Sequence, residues 1–119
     1  MALRQVGVEA VPHGGVIYYY TLDSESPIRM ECIGKAACAI VNSLEGGEYC
    51  RQAGDRVSAF AISIDRYILT IDDYVIIVSI VKPDYRWIAN FEVFKNRTAA
   101  FYARKLFNDP QLSSLIRTG

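Results

Sequence analysis

The chain has 119 residues, 51% of them apolar, with 13 basic and 13 acidic side chains and a formal net charge of zero. That size fits one domain, residues 1–119, whose core needs no metal or disulfide staple. Zero net charge excludes a general electrostatic pull toward nucleic acid or anionic lipid, and it leaves copies of the chain without mutual repulsion.

Gln5 to Val11 reads as a first strand, and Pro12-His13-Gly14-Gly15 as a turn. Val16 to Leu22, rich in β-branched and aromatic residues, completes a hairpin. Ser26 and Pro27 then fit an N-cap and a first helical position. Met30, Ile33, Ala37, Ile40, Val41 and Leu44 recur at helical spacing until Gly46-Gly47 stops the pattern. Gly34 either weakens this helix or lets another element approach closely.

Arg56 to Ile64 reads as a strand with a small face, Val57, Ala59, Ala61 and Ser63, and a bulky face, Ser58, Phe60, Ile62 and Ile64. Asp65-Arg66 is a turn, and Tyr67 to Ile71 continues as strand. Asp72-Asp73 suits a two-residue hairpin, because aspartate tolerates left-handed backbone. Tyr74 to Lys82 is apolar on both faces, so both faces require cover. The expectation is therefore an α+β domain: a single antiparallel sheet of about five strands with helices on both faces. Residues 85–94 fit two patterns. Trp87, Phe91 and Phe94 recur at helical spacing, whereas Tyr85, Trp87, Ala89, Phe91 and Val93 alternate as in a strand. Arg97 to Phe107 reads as a helix, and Pro110 to Ile116 as a short final one.

No motif carries catalysis, and neither a cofactor nor a metal is expected. Cys32, Cys38 and Cys50 lack the close pairing of a zinc site or a disulfide framework, so buried structural thiols are the simpler reading. His13, the single histidine, lies in a turn with no orienting partner nearby in sequence. Its glycines lead into a strand, not the helix N-terminus that a phosphate cradle needs. Asp65, Asp72 and Asp73 are explained by turn chemistry. Tyr18, Tyr19 and Tyr20 have no interleaved basic residues, as a base-stacking platform would, and read as packing. Glu9, Pro12 and the glycine pair interrupt any signal sequence, and Tyr74 to Val81 is too short to span a bilayer as a helix. The expected location is cytoplasmic.

The run Ile33-Gly-Lys-Ala-Ala-Cys-Ala-Ile-Val-Asn-Ser-Leu44, the strands ending Tyr67 to Val81, and Arg97 to Leu106 together resemble a roadblock/dynein-light-chain domain of the longin-like class. The resemblance implies a non-enzymatic homodimeric interaction module that binds or regulates a small Ras-like GTPase. It implies joining through the Arg56–Ile64 strand and the Ile33–Leu44 helix, hence Val57, Ala59, Ala61, Ser63, Ala37, Ile40 and Val41. The alternative is an Alba-like nucleic-acid-binding domain, with Arg29 to Ala36 as a strand entering a helix. Its basic surface, Lys35 with little around it, is thin for that role.

Overall fold

The computed structural model describes residues 2–11, 15–50 and 57–95, and the statements below concern these. Two long strands, β1 (Ala2–Val11) and β2 (Gly15–Ser24), form a hairpin. Helix α1 (Met30–Glu45) follows. A meander then runs through β3 (Val57–Ser63), β4 (Arg66–Ile71), β5 (Tyr74–Val81) and β6 (Trp87–Phe94). All six strands join one antiparallel sheet in the order β1-β2-β6-β5-β4-β3.

This corrects the expected architecture. The sheet has six strands, and α1 is the one helix lying wholly within the described residues, so the five-stranded sheet with helices on both faces does not hold. Residues 87–94 are strand, and the alternating pattern prevails over the helical one. The cause is tertiary: β6 slots between β2 and β5 and satisfies its backbone on both sides. The expected helices at Arg97–Phe107 and Pro110–Ile116 lie outside the described residues, as does His13.

The α1 face of the sheet carries the main core. Ile33, Ala36, Ala37, Ile40 and Val41 follow an i, i+3, i+4, i+7, i+8 stripe on the helix. They meet Tyr20 and Leu22 of β2, Ala89, Phe91 and Val93 of β6, Tyr74, Ile76 and Val78 of β5, and Leu69 and Ile71 of β4. On the opposite face Ile17, Phe94, Val75, Ile77 and Ile68 are also buried. The double-sided apolar pattern of β5 therefore correctly indicated a strand buried on both faces, up to Val81, which is exposed.

The helix ends differ from expectation at one terminus only. Arg29 occupies the N-cap position without a side-chain cap, and Ser26 is not the cap. Instead the buried Ser24 hydroxyl donates to the Ser26 carbonyl and accepts its N–H, fixing the turn between β2 and α1. At the other end Gly46 takes the left-handed conformation at φ 80° and donates its N–H to the Asn42 carbonyl. Gly34 does not serve a close approach, since a Cβ there would meet nothing within 4 Å. Asp72, at φ 54°, makes the β4–β5 turn as its residue type suggested.

The cysteines depart furthest from the sequence reading. Cys38 and Cys50 are disulfide-bonded, with Cα atoms 5.3 Å apart, and Cys32 is free. Cys38 lies about two turns before the end of α1, and the reversal at Gly46 returns the chain to it within a few residues. That reversal was visible in the Gly46-Gly47 pair, but the cysteine spacing alone did not point to it.

Candidate functional site: an uncharged sheet edge

The sheet has two edges, and they differ in chemistry. Strand β1 carries Arg4 and Glu9, and a bulge between Gln5 and Gly7 interrupts its ladder in mid-strand. Charges and bulges are the usual means of blunting an edge against another chain. Strand β3 has neither protection along most of its length. Its sequence Val-Ser-Ala-Phe-Ala-Ile-Ser has no charge, and its pairing with β4 is regular from Val57 to Ala61. The irregularity comes only at its end, between Ala61 and Ser63. Ser58, Ala59, Ala61 and Ser63 are all exposed.

The expected interface residues thus separate into two groups. Val57, Ala59, Ala61 and Ser63 stand together on the edge strand. Ala37, Ile40 and Val41 are at most 1% exposed and face the chain's own sheet. A helical stripe already covered by its own sheet offers no surface to a partner, so these three are corrected to core. The physical reason is that one amphipathic helix has one apolar stripe, and the sheet takes it.

Two tyrosine–carboxylate pairs fasten the C-terminal end of α1 to the β4–β5 turn. The Tyr74 hydroxyl donates to Glu45 Oε2 at 2.5 Å, and the Tyr49 hydroxyl donates to Asp72. The two rings meet edge to face with centroids 6.2 Å apart. Burial, and then the Glu45 carboxylate, hold the Tyr74 phenol protonated well above the usual tyrosine range. These groups form hydrogen-bonded clamps.

At the opposite end, a cleft of about 510 Å³ lies between residues 23–27 and Arg86. Arg86 Nε donates to Asp23 at 2.8 Å, and its Nη1 reaches Glu25 at 3.4 Å. One guanidinium thus faces two carboxylates, and these exposed pairs add little stability. Among the described residues, no cluster of three or more His, Cys, Asp or Glu side chains could hold a metal ion. No helix among them is long and apolar enough to cross a membrane. Arg29 to Ala36 does not form the strand-into-helix junction of the nucleic-acid alternative, because the helix begins at Met30.

Among the described residues, Glu92 is the half-buried carboxylate with a resolved perturbation. It lies on the sheet face away from α1, between Tyr19 of β2 and Ile77 of β5. Burial raises its pKa, the Arg66 charge opposes this, and Glu9 adds to it. A carboxyl whose folded pKa lies above its unfolded value favours folding in acid, and that contribution is lost as pH rises through the folded value. Glu92→Gln is therefore expected to match the wild type below pH 4.5 and to be the more stable protein at neutral pH. Urea midpoints measured from pH 3.5 to 7.5 read this directly; a variant less stable than wild type at pH 7 would refute it.

Searches of protein-family models, curated proteins and solved structures find no match to this chain.

Proposed function

We propose that this domain is a non-enzymatic interaction module that self-associates through β3, pairing antiparallel with β3 of a second copy. The observation that carries the reading is the contrast between the edges: β1 is charged and bulged, whereas β3 is uncharged and regular from Val57 to Ala61. Antiparallel pairing of one strand with its own copy obeys a two-fold axis, the commonest symmetry of small assemblies. Zero net charge leaves no long-range repulsion to oppose it. The small Ala59 and Ala61 side chains keep the α1 side of the edge open to an approaching strand.

A seven-residue strand pair is a small interface, so the dimer is expected to be concentration-dependent, with Kd on the order of 10–100 μM. The doubly substituted Ala59→Lys/Ala61→Lys protein puts like charges across the joint and is expected to weaken association roughly tenfold or more. Both positions are exposed, so the monomer should melt as before. Sedimentation velocity over a concentration series reads both effects. A wild-type chain that stays monomeric at several hundred micromolar, or a double variant that dimerises equally well, removes the proposal. Under the self-association proposed here, the small Ras-like GTPase implied by the family resemblance would meet a dimer; none of the described side chains selects such a partner.

A further inference from the structure

The two sulfurs of the disulfide sit in unequal surroundings. Cys50 is 7% exposed, its N–H donates to Asn42 Oδ1 at 2.8 Å, and the preceding Tyr49 is bonded to Asp72. Cys38 is half-buried on the flank of α1, packed at the margin of the core. Their Cα separation of 5.3 Å is fixed by the helix, the Gly46 reversal and the Asn42 contact, all of which are independent of the S–S bond. Contacts that hold the backbone in place allow two thiols to find each other again after reduction. Exchange with a small thiol follows access, and access favours Cys38.

We propose that Cys38 and Cys50 form a reversible thiol–disulfide site. Cys38 is the sulfur that exchanges with a small disulfide of the glutathione class, and Cys50 is the buried resolving partner. Starting from the dithiol, the Cys38 thiolate attacks one sulfur of oxidised glutathione. A Cys38–glutathione bond forms, the glutathione S–S bond breaks, and one glutathione thiolate leaves and takes up a proton. The Cys50 thiolate then attacks Cys38 Sγ, expelling the second glutathione thiolate, which is protonated in turn. The sum is one protein disulfide and two reduced glutathiones for one oxidised glutathione and two protein thiols. The proposal is independent of self-association at β3.

Cys32 is a half-buried free thiol on the same helix, so the test is made in a Cys32→Ser background. Reduced, native protein is mixed with oxidised glutathione and followed by intact mass. The parent is expected to end two hydrogens lighter than its reduced form, with no adduct. Cys50→Ser traps a single glutathione adduct on Cys38, whereas Cys38→Ser acquires its adduct at Cys50 about tenfold more slowly. Equal adduct rates in the two variants, or a parent that keeps its adduct, overturns the assignment. The reverse reaction covers the case in which a variant fails to fold. Oxidised parent treated with reduced glutathione should regain two thiols with an unchanged far-UV CD spectrum. A disulfide that resists reduction until denaturant is added, or a fold lost on reduction, overturns reversibility.

Discussion

Phe91→Ala is expected to destabilise the domain by about 3–5 kcal/mol, through lost transfer free energy plus the cavity left behind. Phe91 is 1% exposed on β6 and lies between Tyr20 of β2 and Val78 of β5, beneath α1. Its ring fills the middle of the sheet, where neighbouring strands are held on both sides and cannot collapse inward. A chain of this length has a total stability of roughly 6–18 kcal/mol, so the loss is a large share of it. The melting temperature should fall on the order of 15 °C. Phe91→Leu, which keeps most of the volume, should cost about 1 kcal/mol. Thermal melts of the two variants decide the matter; near-equal losses would mean that the cavity is not the cause.

Phe91 also illustrates how the sequence could be misread. In a helix, Phe91 and Phe94 would share a face with Trp87, and that spacing is present. In the strand they point to opposite sides of the sheet, and both are buried, at 1% and 0% exposure. Period alone does not separate these cases when a strand is apolar on both faces. What decides is the partner strand, and β2 is about 70 residues away in sequence, as the Thr21–Asn90 hydrogen bond illustrates. Local features fared better. The Gly46 stop, the Asp72 turn and the double-sided β5 were each legible, because their physics is contained within a few residues. The missed N-cap follows from competition: Ser24 and Ser26 bond to each other, and the helix starts later. The edge position of β3 was open to suspicion from its small face, yet only the strand order, with β6 inserted between β2 and β5, leaves β3 outermost.

The division of the seven expected interface residues into edge and core has a sharp consequence at Val41. Val41→Asp is expected to cost about 4–6 kcal/mol, combining the lost burial of valine with a carboxyl that finds no partner in an apolar layer. Val41 is 0% exposed, flanked on its helix by Ala37 and Ile40, with the sheet beneath. A carboxyl there would protonate rather than stay charged, so its folded pKa would lie above the unfolded value. The defect should accordingly shrink in acid and deepen as pH rises through that folded value. Denaturant melts at pH 4 and pH 7 read this directly. An interface role for α1 makes the opposite forecast: a folded monomer of normal stability with only association lost. Ala59→Lys/Ala61→Lys is expected to give that second phenotype, because Ala59 and Ala61 are exposed where Val41 is covered. If Val41→Asp instead leaves the melt unchanged and abolishes a dimer, then α1 faces a second copy and not its own sheet, and the six-stranded arrangement with α1 across it is wrong.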